Sequence, residues 1–484
     1  MSVIKNYIYN TLYQVMILFI PLITMPYLAR VFSPELMGVN TLSLTIATYF
    51  TMVGQLGMQM YGNRQIAYVR DDKKKLSTVF WSLYIIQVIS CSLALIAYYL
   101  YVYFRIDANK VIYLIQGLNV INVLLDISWL FIGLEDFKKV VIRNTIVKFV
   151  GLVSILIFVR DSGDLAIYTF LTVAVNIVGM LTMWIYVPKY VGKINIDFKF
   201  AKKSIAPLLK LFLPQIASTV YLLLDKSMLG EYSTAAQVAF YDYSQKLIRV
   251  ILAVIASVGT VLMPRVSNLM GNGKKEEVGL IIEKTFKFIS YLAMPTTIGF
   301  MCVSEKLVPY FLGEAYAYSG FLSAVCSLII IAVSWANIIA VQYLIATKQE
   351  DKYTVSVIAS GILSFIMNLF LLRKYGALGA VISLIAAEYL GIGIQMFLVR
   401  RQLPVTRMLK GTIRYLIAAI AMGVPVYIVG TFIEAPLIST IVQGIVGVIV
   451  YVLIMFVIKD NVQKEIIEKG ISLLRKRKVT CSEN

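Results

Sequence analysis

The sequence predicts an all-α integral membrane protein of about fourteen transmembrane helices. They form two pseudo-repeated six-helix lobes around a central cleft, with two extra C-terminal helices. Of 484 residues, 59% are hydrophobic and only 15% charged, and the mean hydropathy is +0.81, well outside the range of soluble domains. Apolar runs recur from end to end, and about 20 such residues cross the roughly 30 Å hydrocarbon layer as a helix. Barrel strands would be half as long and would alternate. The basic residues gather in alternate loops, as they do in multi-span proteins.

In chain order the runs fall near 11–30, 41–61, 78–103, 111–133, 140–159, 165–187, 208–229, 238–263, 286–303, 319–346, 354–372, 377–399, 412–433 and 437–458. Pro21 and Pro26 interrupt the first, no small-residue cleavage site follows it, and similar runs come after. It is therefore expected to remain in the mature protein. Of 45 Lys and Arg, 34 lie in the tails and even-numbered loops and seven in the odd-numbered loops and at Arg30. That asymmetry puts both termini in the cytoplasm and makes the net charge of +19 a topological signal, with no nucleic-acid partner expected. The terminal run Arg475–Lys478 then reads as an anchor on an anionic leaflet. Four cysteines without paired spacing and the absence of histidine exclude histidine-based nucleophile systems and make a disulfide framework or metal site improbable. No cofactor is expected.

A shift of 201 places Gln14 on Gln215 and Arg64 on Arg265; a shift of 215 places the Glu-Asp pair 135–136 on 350–351, Asn122 on Asn337 and Asn119 on Ser334. Six spans separate the copies, so both enter the membrane in the same direction, as in parallel repeats. The expected divisions are an N-terminal lobe 1–190, a C-terminal lobe 191–403, spans 13 and 14 in 404–459, and a basic cytoplasmic tail 460–484. Two lobes around a cleft suit alternating access.

Ionisable groups at bilayer depth are costly unless they face water or a partner, which makes them the informative positions. Asp242, Lys246 and Arg249 share a helical face on span 8, and Asp225 on span 7, beside Lys226, lies at the depth of Lys246, within expected reach of it across the hairpin. They form either a self-neutralising buried network or, with Lys246 and Arg249 turned to the cleft, a cationic head-group site that the acids tune. Arg suits phosphate through its planar fork. Lys148 sits within span 5. On span 4, Asn119, Asn122 and Asp126 form a polar stripe, partly repeated by Ser334 and Asn337 on span 10. With Gln14, Gln55 and Gln59 these are either interhelical hydrogen-bonding groups or a sugar-facing surface. Glu388, like Asp126, is a candidate for ion coupling; pairing within its lobe is the alternative. Arg30 and Glu231, equivalent under the 201 shift, form a candidate outer gate or an inconsequential surface pair.

The segments "NYIYNTLYQ", "PYLARVFSPELMGVNTLSL", "YGNRQIA" and "DKSMLGEYSTAAQVAFYDYSQKL" resemble the polysaccharide-transporter branch, the Wzx-type oligosaccharide flippases, of the multidrug/oligosaccharidyl-lipid/polysaccharide flippase superfamily. The resemblance extends over essentially the whole chain. It implies a non-enzymatic flippase that moves an undecaprenyl-pyrophosphate-linked oligosaccharide from the inner to the outer leaflet of the bacterial cytoplasmic membrane, for capsule, O-antigen or exopolysaccharide synthesis. The implied partners are that lipid-linked oligosaccharide, membrane lipids, a polysaccharide polymerase, glycosyltransferases, and a coupling cation or proton. Related peptidoglycan-precursor flippases use arginines in a cationic cavity and spans 13 and 14 as a tail groove; Arg30, Lys246 and Arg249 are the candidates here for the first role. The alternatives are a peptidoglycan-precursor flippase and a cation-coupled multidrug exporter, the latter favoured by Asp126 and Glu388 but opposed by Lys246 and Arg249. A membrane polymerase or acyltransferase lacks here the large outer loop or membrane histidine that such enzymes tend to carry.

Overall fold

The apolar runs fold as helices, with no strand among the described residues. The computed structural model describes residues 20–257 and 262–468; Gln14 and the basic run 475–478 fall outside them. The chain divides into two compact units, Met1–Asp242 and Tyr243–Asn484.

In the first unit, helix α1 (Ile20–Val31) leads to Ser33, whose side chain caps α2 (Pro34–Gln55), with Pro34 and Glu35 in the favourable first turn. Leu56 and Gly57 adopt left-handed conformations, φ 47° and 73°, and redirect the chain into α3 (Met58–Val69). Asp72 accepts the amides of Lys74 and Lys75 and so starts α4 (Lys73–Arg105). Those backbone hydrogen bonds hold its carboxyl below the ordinary range. The next crossing is built from α5 (Lys110–Gln116), α6 (Leu118–Leu125) and α7 (Ser128–Gly133). It is followed by α8 (Phe137–Phe158), α9 (Leu165–Trp184), the single turn α10 (Val187–Tyr190), α11 (Phe198–Tyr232) and α12 (Ala235–Ser257), which runs on into the second unit. The core gathers Met58, Phe80, Trp129, Phe131 and Leu208, with Phe80 and Trp129 ring centroids 5.4 Å apart.

The second unit continues through α13 (Leu262–Gly271), α14 (Lys275–Leu312), α15 (Ala317–Cys326) and α16 (Ile329–Ala336), which runs into a π-helical stretch Asn337–Ile345. Then come α17 (Glu350–Tyr375), α18 (Ala377–Val399), α19 (Val405–Phe432) and α20 (Pro436–Val457). Small polar residues join α17 to α18: Ser360 Oγ donates to the Ala387 carbonyl at 2.8 Å and Gln395 Nε2 to Ser356 Oγ at 3.0 Å. Such contacts replace the hydrophobic driving force that lipid removes. Asp460 accepts the Val462 and Gln463 amides at the start of a last helical segment, 461–468, and binds Arg414 at 2.8 Å.

Among the described residues, ten helices are long and apolar enough to cross a membrane, or eleven if the bent pair Glu314–Cys326 and Ile329–Ile345 counts as one span. Helices α11 and α12, which carry Asp225, Lys226, Asp242, Lys246 and Arg249, are not among the ten. Three crossings expected as continuous runs are interrupted instead. The second turns at Leu56–Gly57, the fourth breaks at Asp126–Ile127, and the tenth bends by 52° between Cys326 and Ile329. Apolar composition sets the length of a crossing and says nothing of its backbone hydrogen bonds, which side chains elsewhere in the chain can satisfy.

Candidate functional site

The hairpin of α11 and α12 carries the charged cluster. Tyr241 Oη donates to Asp225 at 2.5 Å, Lys226 Nζ forms an ion pair with Asp242 Oδ1, and Thr41 Oγ1 donates to Asp242 Oδ2 at 3.4 Å. Both carboxylates are buried, 4% and 1% exposed, and Lys226 is largely so. A buried pair of this kind contributes little net stability yet is costly to break on one side, so it holds the two arms of the hairpin together, while Thr41 links Asp242 to α2. Gly38 makes that approach possible, since a Cβ there would meet the Ala235 carbonyl oxygen at 1.7 Å. Thr41 and Asp242 are also 201 residues apart, the offset of the sequence repeat.

Further along α12 the pattern inverts. Tyr243 and Ile248 are buried, with the Tyr243 ring 4.9 Å from that of Tyr316. Lys246 and Arg249 are exposed, and Lys246 Nζ lies 5.2 Å from the Tyr243 ring centroid. Two of the predicted cations are therefore exposed on this helix, whereas Lys226 is largely buried. Of the predicted gate, Arg30 and Glu231 are both exposed at the ends of α1 and α11. Glu388 is half-buried on α18.

The broken fourth crossing organises the predicted polar stripe. Asp126 is the cap residue after α6; its carboxylate accepts Gln59 Nε2 at 2.7 Å and the Ser128 amide at 2.9 Å, and also bonds the Ser128 hydroxyl. The last carbonyls of α6 would otherwise be orphans in a medium without water. Gln87 Nε2 reaches those of Val123 (2.7 Å), Leu124 (3.3 Å) and Asp126 (2.9 Å), and Trp184 Nε1 reaches that of Leu125 at 3.0 Å. Gln87 Oε1 in turn accepts Trp129 Nε1 at 3.0 Å. Sequence reasoning misses Gln87 and Trp184; a glutamine and a tryptophan inside long apolar runs are the available signals.

Asn119 donates to Gln116 Oε1 at 2.6 Å, and Gln116 and Thr169 both donate to buried Asn40, tying α2, α5, α6 and α9 together. Gln55 Oε1 accepts Gln215 Nε2 at 3.3 Å. Asn122 Oδ1 and Ser334 Oγ are buried without a hydrogen-bond partner among the described residues. Ser334 and Asn337 line a void of about 50 Å³ with Leu252, Ile255 and Ile289. Under the 215 shift of the sequence, 126, where α6 ends, maps to 341 inside the π-helical stretch, whereas Asn122 sits in regular α-helix and its match Asn337 starts the π-helical stretch.

The second unit also holds an apolar groove of about 470 Å³ along α14, α19 and α20, walled by Ile251, Phe300, Met422, Val448 and Tyr451. A Cβ at Gly444 would meet nothing within 4 Å, so that glycine leaves the groove floor open. Ile251 lies two residues beyond Arg249 on α12, about 3 Å along the axis but about 200° around it, so the groove wall and Arg249 occupy different faces of the helix.

The sequence profile described as "Polysaccharide biosynthesis protein" matches residues 3–270. A putative O-antigen transporter of Escherichia coli (strain K12) is 23% identical over 405 residues, 83% of this chain and 97% of that protein. The succinoglycan biosynthesis transport protein ExoT of Rhizobium meliloti (strain 1021) is 21% identical over 61% of this chain and 60% of its own. Among solved structures, the lipid II flippase MurJ in an inward closed conformation superposes with a TM-score of 0.77 at 14% identity, covering 94% of this chain and 98% of that one. An inward-facing multidrug resistance MATE family transporter of the MOP superfamily gives 0.58 at 11% identity, covering 82% and 96%. The profile match over more than half the chain, on a MurJ-like helical fold, establishes that this multi-pass membrane protein belongs to the polysaccharide biosynthesis protein family.

Proposed function

We propose that the protein is a flippase that moves an undecaprenyl-pyrophosphate-linked oligosaccharide from the inner to the outer leaflet of the bacterial cytoplasmic membrane, serving capsule, O-antigen or exopolysaccharide synthesis. The observation that carries this is that the second unit presents both exposed Lys246 and Arg249 on α12 and an apolar groove along α14, α19 and α20. A lipid-linked sugar has the same two parts, an anionic head group and a long apolar tail. The groove holds the polyprenyl tail while Lys246 and Arg249, with Arg30, neutralise the pyrophosphate. Head-group binding stays weak, because transport requires release on the far side.

In this reading the chain crosses the membrane fourteen times with both termini cytoplasmic, and lobes 1–190 and 191–403 rock in alternation around a polar path. The polar groups Asn119, Asn122, Ser334 and Asn337 meet neutral sugar. Arg30 and Glu231 close the outer side, and Glu388 takes the coupling cation or proton. Hydrogen bonds from Gln59 and Ser128 give Asp126 a structural task at the helix break, which favours Glu388 over it for coupling.

Reconstitution into vesicles tests the proposal. A fluorescent polyprenyl-pyrophosphate oligosaccharide, quenched from outside, is expected to exchange leaflets faster with protein than in empty vesicles. Exchange at the empty-vesicle rate, together with proton- or sodium-driven uptake of an organic cation, would replace the flippase by an exporter.

A further inference from the structure

Helix α8 departs from its neighbours in two ways. It is the least buried of the ten candidate spans, with 6% of its apolar window covered, and it carries a lysine near its centre. The span runs Lys138–Phe158, so Lys148 lies ten residues from either end, about 15 Å of helical rise. A lysine side chain covers only a fraction of that distance, and snorkelling to either interface is closed to it. Lys148 is exposed and, among the described residues, makes no hydrogen bond or ion pair.

The groove between α8 and α9 is lined on α8 by Lys139, Ile142, Arg143, Ile146, Val147 and Val150, which centre on the side opposite Lys148. Asn144, Thr145, Gly151 and Leu152 flank Lys148 on its own side. One face of α8 thus lines the apolar groove beside α9, and the other presents a cation whose four nearest helical neighbours include only one large apolar residue, Leu152. A charge held at mid-depth against acyl chains is strongly unfavourable, so this second face adjoins water or an anion.

We propose that Lys148 lines the transport path and contacts an anionic group of the cargo midway through its crossing. This rests on the flippase reading and adds to it a mid-depth cation in the first unit that acts in addition to Arg30, Lys246 and Arg249. The anion is either the pyrophosphate linker or an acidic sugar, and the choice of cargo separates them.

Two measurements test this. With the native cysteines replaced by alanine, Lys148→Cys is expected to react with a membrane-impermeant thiol reagent and to be protected by cargo, while Ile146→Cys on the α9 side stays unreactive. In reconstituted vesicles, Lys148→Met is expected to slow exchange of a pyrophosphate-linked neutral glycan at least tenfold, with Lys148→Arg recovering most of it; slowing confined to an acidic glycan assigns the contact to the sugar. A Lys148→Cys protein that does not react, or wild-type exchange by Lys148→Met with both cargoes, overturns the inference while leaving a flipping wild-type chain and its function intact. Failure of the wild-type chain to flip refutes the underlying reading instead, and the labelling result then decides by itself whether this face meets water. Should Lys148→Met fold poorly, Lys148→Gln and the labelling arm give the same decision.

Discussion

Replacing Gln87 by Leu removes the side chain that allows the fourth crossing to break. Gln87 donates to the Val123 and Asp126 carbonyls at 2.7 and 2.9 Å and accepts from the fully buried Trp129 indole at 3.0 Å. Leu has a similar volume but no polar atom, so both carbonyls and the indole N–H are left without their partner. Each orphaned buried group costs about 1–3 kcal/mol in a soluble core, and measured interhelical hydrogen bonds in membranes average nearer 0.6 kcal/mol. Three such losses give at least about 2 kcal/mol, or an apparent melting shift of at least roughly 4–8 °C for a unit of this size. Thermal denaturation in detergent, followed by intrinsic fluorescence or aggregation, reads that shift. Trp129→Phe removes the orphaned donor, so the double variant is expected to lose less than the sum of the single losses, by about 1 kcal/mol. A Gln87→Leu protein melting within about 1 °C of wild type would refute the claim that this glutamine holds the break.

Lys226→Met leaves Asp242 buried without its lysine and is expected to destabilise by about 3–5 kcal/mol, whereas Lys226→Met with Asp242→Asn recovers most of that; expression and melting temperature compare the two. Gly444→Leu projects into open space in the apolar groove, so it should fold normally and slow exchange of a polyprenyl-linked cargo, read in the vesicle assay against unchanged melting. At the start of α8, partial burial opposes ionisation of Asp136, yet hydrogen bonds from Lys139 and Tyr190 prevail and hold its carboxyl below the usual range. Because the folded pKa is depressed, the ionised group stabilises the protein above the ordinary carboxylate pKa and loses that contribution as pH falls. Wild type should therefore melt higher than Asp136→Asn by a constant margin from about pH 8 to about pH 5, and the margin should shrink only below about pH 4.

Much of the fold is visible in the sequence because apolar length is a direct record of the membrane. The charged hairpin is visible for the same reason: Asp225, Lys226 and Asp242 stand out against lipid-compatible neighbours, and the structure joins Lys226 to Asp242. The interruptions are hidden. Residues 118–125 read as one apolar stretch with 128–133, and what permits the break is Gln87, 39 residues before Asp126, acting on carbonyls that every residue type carries. The turn at Leu56–Gly57 is obscured because a leucine in a left-handed conformation has no sequence signature. The apolar groove is approached only through the family resemblance, which points to spans 13 and 14; its third wall, α14, lies about a hundred residues earlier, and no composition or spacing marks it.

Whether basic groups on α12 accompany a pyrophosphate head group across the membrane is decided most directly by leaflet-exchange rates. Polyprenyl-pyrophosphate and uncharged polyprenyl glycans would be compared with wild-type, Lys246→Ala and Arg249→Ala proteins at matched expression. Each substitution is predicted to slow the pyrophosphate cargo at least tenfold and to leave the uncharged one nearly unchanged. Equal rates for all three proteins on the charged cargo would contradict that role for Lys246 and Arg249.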